Sequence, residues 1–220
     1  DEQAMGDEAG AAGVWNDTTN ALAAFGERAL PALLAALRDP HANVRAWSAL
    51  ALGRMGGDAA LDALRRALDD SNAQVRAQAA DALGLLADSS AFAALARALS
   101  ADADPFVRAR AIYALAALAA LPGAATVNAL LPALCDADSS VRCAAAYAIG
   151  CSGDQRVVGV LLGLLTDPAA DVREAAVLRL GEISDERSLA SLEPLTLDLT
   201  GTEHVRAFAV AAVERIRGRG

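Results

Sequence analysis

Apolar residues along 29–38 fall at i, i+3, i+4 and i+7 (Leu30, Leu33, Leu34, Leu37), the one-face pattern of an amphipathic helix. A polar loop, Asp39 to Asn43, separates this run from a second one, Val44 to Met55, which stops at Gly56-Gly57. Glycine tolerates the left-handed conformation that ends many helices. The same couplet returns along the chain and predicts helices at 59–68 and 75–86, 90–99 and 107–120, 124–134 and 141–149, 157–165 and 172–183, and 189–199 and 205–216. No stretch alternates with a period of two over a usable length, so no strand is predicted.

The couplets share a frame. A Val-Arg pair stands at 44/45, 75/76, 107/108, 141/142, 172/173 and 205/206, at intervals of 31, 32, 34, 31 and 33 residues, which marks a repeat array. Asp39, Asp70, Asp102, Asp136 and Asp167 lie six residues before the Arg in five copies, and Thr200 stands there in the sixth. Such arrays stack nearest neighbours around one continuous core. The expected organisation is a mobile leader, 1–13, and one repeat domain, 14–220. Within the domain a capping helix, 14–26, precedes units at about 27–57, 58–88, 89–120, 121–152, 153–184 and 185–217. The cap is read from Ala21-Leu22 and Phe25-Gly26, thirty residues ahead of Ala51-Leu52 and Met55-Gly56. Leu121-Pro122-Gly123 takes up the longest interval as a widened turn. Gly53, Gly84, Gly150 and Gly181 recur eight residues after the Arg, where Gly admits a neighbouring backbone; Ala116 and Glu214 replace it in two copies.

Leu-Pro-Ala-Leu-Leu-Ala-Ala-Leu-Arg-Asp at 30–39, followed by Val44-Arg45 and Ala-Leu-Gly at 51–53, resembles a HEAT repeat of the bacterial phycobilisome-lyase type. That family is marked by a Pro in the first helix, an Asp in the loop and an Arg opening the second helix, and Pro31, Asp39 and Arg45 match all three. Later copies hold Asp62, Ala94, Asn128, Gly159 and Leu192 at the Pro position. The resemblance implies an all-α, right-handed α-solenoid of six helix pairs and a concave surface lined by the second helices. It specifies fold more closely than function, because one fold hosts many activities.

Composition narrows the partners. Every basic residue is Arg and the formal net charge is −9, which argues against binding nucleic acid through phosphate neutralisation. A HEAT-like DNA repair glycosylase would need a basic concave surface and is the least favoured reading. The longest apolar stretch, Ala109 to Pro122, contains Arg110 and is too short to span a bilayer. An odd number of cysteines, three, suits a reducing compartment, and the cytoplasm is the expected location.

Chemistry-bearing residues are sparse. Cys135, Cys143 and Cys151 lie eight residues apart; Cys143 and Cys151 share one helix face, but eight helical residues span about 12 Å, too far for their joint ligation of one zinc ion. His41 and His204 sit in separate loops, and neither forms the His-Glu pair of the di-iron HEAT-repeat hydroxylases. No serine stands in a Gly-x-Ser-x-Gly setting and no Gly-rich phosphate loop follows a strand. No catalytic residue, metal site or cofactor is therefore expected. Asp39, Asp70, Asp102, Asp136 and Asp167 with Arg45, Arg76, Arg108, Arg142, Arg173 and Arg206 read as a structural ladder. The Asp carboxylates accept hydrogen bonds at helix starts, and the Arg forks reach loop carbonyls or the next unit's Asp.

The free positions carry the functional reading. Counting each Val as zero, positions 0, 4, 7, 8 and 11 of the second helices are mostly apolar and face the core, while 2, 3, 6 and 10 vary and form a stripe. Both tyrosines (Tyr113, Tyr147), Trp47 and Phe208 fall on that stripe among Arg54, Gln78, Asp81, Arg110 and Glu182. Trp, Tyr and Arg are the types enriched at binding hot spots. The expected function is a non-catalytic scaffold whose partner is a protein or peptide, neither nucleic acid nor membrane. Neighbouring helices would set the Tyr113 and Tyr147 rings about 8 to 10 Å apart. The alternative is a helper or subunit of an enzyme of the chromophore-lyase type.

Overall fold

The computed structural model describes residues 28–118, 123–150, 157–183, 185–197 and 202–218. The expected leader and capping helix, Leu121 and Pro122 of the widened turn, and Cys151 lie outside the described residues. Two compact units divide at Ala120 and Leu121. The first contains α1 (Leu30–Ala36), α2 (Ala42–Met55), α3 (Asp58–Ala67), α4 (Ala73–Leu86), α5 (Phe92–Ala101) and α6 (Pro105–Ala117). The second contains α7 (Gly123–Leu130), α8 (Ser139–Gly150), α9 (Val157–Leu164), α10 (Ala170–Ile183), α11 (Leu189–Leu192) and α12 (Glu203–Arg217). Every regular element among the described residues is helical, and no described helix is long and apolar enough to cross a membrane.

The second helices start about two residues before the Val, because the capping residue sits at the end of the loop. Asn72 Oδ1 accepts from the N–H groups of Gln74 and Val75, Asp104 accepts from Phe106, and the Thr202 hydroxyl accepts from Val205. Two expected helices are broken. The 124–134 segment runs as α7 and then tightens into a 3₁₀ turn, Leu131–Cys135, at Pro132; the 189–199 segment gives only α11 and a 3₁₀ turn, Pro194–Thr196. Proline lacks the N–H of the helical ladder and its ring crowds the preceding turn.

Within each unit the second helices pack on one another, α2 on α4 on α6 in the first and α8 on α10 on α12 in the second. Small residues set the spacing. A Cβ on Gly53, Gly84 or Gly181 would come within 2.6, 3.0 or 2.6 Å of Ala82, Ala114 or Ala212 respectively, so the repeated Gly is where the next helix makes its closest approach. The first helices lay Leu64 and Leu95 against this layer, and together with Leu52, Leu83, Ile112 and Leu115 they form the fully buried core of the first unit. Leu130, Ile149, Leu161, Leu180 and Leu192 do the same in the second. Val44, at the first described helix pair, is 37% exposed, whereas Val75, Val107, Val141, Val172 and Val205 are buried.

Candidate binding surface

The ladder residues order the loops. Arg45 donates from Nε and Nη2 to the two carboxylate oxygens of Asp70, both at 2.8 Å, and from Nη1 to the carbonyls of Asp39 and Pro40 at 2.8 and 3.2 Å. Arg76 holds Asp102 at 2.7 and 2.8 Å, and Arg142 holds Asp167 at 2.8 and 2.9 Å in the same two-pronged manner. Arg108 and Arg173 donate to the carbonyls of Asp102 and Asp167 at 2.9 and 2.7 Å. One planar guanidinium thus ties its own loop to the next, a geometry Lys cannot reproduce.

Each Asp acts one step earlier than a helix cap. Its Oδ1 accepts from the N–H two residues on, at His41, Asn72, Asp104, Asp138 and Ala169, with distances of 2.8 to 2.9 Å. The Arg45 hydrogen bond holds the Asp70 carboxyl below the ordinary range, and the Arg142 bond does so for Asp167. Burial pushes Asp102 up, but Arg76 and the Asp104 N–H outweigh it and the carboxyl ends below its ordinary value. Arg206 is half-buried on α12, and Thr200 lies outside the described residues.

The open face of the second helices is narrower than positions 2, 3, 6 and 10. Ala46 and Ala77, at position 2, are 3% and 0% exposed because that position meets the next second helix; Ala144 and Ala175, at position 3 in the second unit, are buried as well. In the first unit the open face holds Trp47 and Gln78, half-buried, and Arg54, exposed. Beside them Asp81 pairs with Arg110 Nε at 3.6 Å, and the Arg110 guanidinium lies 4.8 Å from the centroid of the Phe106 ring. Burial raises the Asp81 carboxyl above its ordinary range, and Arg110 offsets only part of this. Tyr113, 48% exposed, and Leu85, 58% exposed, flank the pair one turn on along α6 and α4. Phe106 escaped the sequence reading because it precedes the Val; its place four residues before Arg110 was the available signal.

In the second unit Tyr147 is half-buried, and Arg179 covers its ring at 4.9 Å while pairing with Glu182. Arg179 occupies position 7, expected in the core; instead its long side chain leans along the helix surface onto the aromatic ring. Phe208 is half-buried beside His204, with ring centroids 6.4 Å apart. His204 Nδ1 approaches Glu174 at 3.6 Å, and His41 Nδ1 lies 3.0 Å from Asp39. Cys135 and Cys143 are free thiols, and burial, with Asp171 and Glu174 nearby, pushes Cys143 up to about 11. No group of three or more potential metal ligands gathers among the described residues.

Comparison with known proteins fits this architecture. The family model for HEAT repeats matches residues 18–77, 66–127 and 127–214. No curated protein sequence matches the chain. Among solved structures, YibA of E. coli superposes with a TM-score of 0.71 at 22% identity, over 93% of this chain and 77% of that one. An engineered protein gives 0.59 at 23% identity, over 86% of this chain and 96% of that one. The complex of CpcE and CpcF of phycocyanin lyase from Nostoc sp. gives 0.50 at 22%, over 90% and 88%. At these identities the likeness is one of fold: all-helical, built as an α-solenoid. With its helix pairs, its Arg-Asp ladder and three matched segments, the chain belongs to the HEAT-repeat family.

Proposed function

We propose that the chain is a non-catalytic scaffold that holds a protein or peptide segment along the open face of its second helices, with Tyr113, Leu85 and the Asp81–Arg110 pair as the contact in the first unit. One observation carries the reading: on α4 and α6 two large side chains, Leu85 and Tyr113, stand exposed beside an ion pair able to exchange hydrogen bonds with a backbone. Burying a side chain of this size is worth about 1.5 to 3 kcal/mol, which a partner would recover. Trp47, Arg54 and Gln78 extend the same face, and Tyr147, Glu182 and Phe208 are its counterparts in the second unit. The two thiols that are free among the described residues support a reducing compartment such as the cytoplasm. The enzyme-helper reading draws on likeness of fold alone.

Affinity capture followed by mass spectrometry supplies the partner for the test. Tyr113→Ala and Arg110→Ala should then each weaken binding by about 2 kcal/mol or more, with Arg97→Ala unchanged. Unaltered affinity with a lowered melting temperature would reduce these residues to packing.

A further inference from the structure

On the first-helix side of the first unit, two neighbouring grooves differ in the sign of one charged residue. Aligning the units on Leu37, Leu68 and Leu99 places Arg38, Asp69 and Ser100 at one repeat position, and Ala35, Arg66 and Arg97 at another. In the groove beside α3 and α5, Arg97 Nη2 reaches the Asp69 carboxylate at 3.1 Å, so an ion pair bridges it. In the groove between α1 and α3 the corresponding residues are Arg66 and Arg38. Both are exposed, and neither side chain has a hydrogen bond or ion pair among the described residues.

This second groove is larger, about 750 Å³ against about 310 Å³, and its floor is apolar: Leu34, Leu37, Ala63 and Ala67. The acids on its wall are already committed, Asp62 to Arg65 at 3.3 Å and Asp70 to Arg45 at 2.8 Å. Two like charges without side-chain partners among the described residues therefore line an apolar trough. The chain as a whole carries a net charge of −9, so an acidic ligand needs a local basic feature such as this one to be held.

We propose that the α1–α3 groove docks an acidic amphipathic segment of a partner protein. Apolar side chains of the segment fill the floor, and a Glu or Asp carboxylate takes the place between Arg38 and Arg66 that Asp69 fills beside Arg97. Arginine forks make charge-assisted, two-pronged hydrogen bonds to carboxylates, so the pair selects the charge while the floor supplies burial. The surface lies on the first helices and is separate from the Tyr113 face.

The test is fluorescence anisotropy of the full chain with a labelled amphipathic peptide of Leu, Ala and Glu, carrying Glu at i and i+4 beside the Leu stripe, and with the same peptide bearing Lys for Glu. The Glu peptide should bind saturably and the Lys peptide should not. R38D, which rebuilds the pairing seen at Arg97 and Asp69, should weaken binding about tenfold or more without lowering the melting temperature. R66A should weaken it in the same direction, and R97A and Y113A should leave it unchanged. The proposal is overturned by absence of saturable binding, by equal binding of the Lys peptide, by affinity that survives R38D in a folded variant, or by loss on Y113A alone.

Discussion

The Cβ that Gly53 lacks would stand 2.6 Å from both Cα and Cβ of Ala82, closer than any real contact allows, so α2 and α4 approach at the one residue without a side chain. Gly181 stands in the same relation to Ala212 at 2.6 Å, and Gly84 meets Ala114 at 3.0 Å. Alanine gains about 1 kcal/mol of helix propensity over Gly, but here the atom it meets belongs to a packed backbone. Gly53→Ala and Gly181→Ala should destabilise by about 1 to 3 kcal/mol net, and Gly84→Ala by less. Urea unfolding of the three variants checks the order; equal stability of all three would count against close approach as the role of the glycine.

Asp70 gives a pH signature. Its carboxyl is held low in the folded chain by Arg45, so its contribution is fully present above the unfolded value of about 3.9 and is lost as pH falls through the lower folded value. Asp70→Asn should cost about 1 to 3 kcal/mol at neutral pH, because the half-buried Arg45 fork loses its anionic partner. The gap to wild type should then narrow in acid. Melting curves at neutral pH and near pH 2 decide it, and a gap independent of pH would show the pair adds nothing electrostatic.

Ala87 occupies the left-handed region, φ 51° and ψ 28°, at the end of α4, where Gly56, φ 81°, ends α2 one repeat earlier. An L-residue there costs about 1 to 2 kcal/mol, and Gly loses more freedom on folding, so the terms partly cancel. Ala87→Gly should therefore raise stability by about 0.5 to 1 kcal/mol, measured as a higher melting temperature with unchanged helicity.

Cys143 should be slow to modify. Its thiol sits half-buried near Asp171 and Glu174 with its ionisation pushed up to about 11, and the thiolate is the reactive form. In a Cys151→Ser background, titration with an aromatic disulfide reagent near neutral pH should show a fast phase from exposed Cys135 that Cys135→Ser removes and Cys143→Ser leaves intact. Loss of the fast phase in Cys143→Ser would contradict that order.

The period of the Val-Arg frame, the helix pairs and the glycine seam were legible in the sequence, because each is a local pattern copied at fixed intervals and the copies check one another. The broken helices at Pro132 and Pro194 were also written there as breakers, although the leucines around them kept the helical period. Facing positions were decided only by tertiary structure. Periodicity gives the angle of a residue about its own helix but not the register against the next one, so Ala46 and Ala77 read as free and prove buried. The same blindness hid Arg179 over Tyr147 and the ion pair between Arg97 and Asp69. Contacts between neighbouring repeats depend on which side chains two helices bring together across a gap, and one-dimensional spacing does not contain that distance.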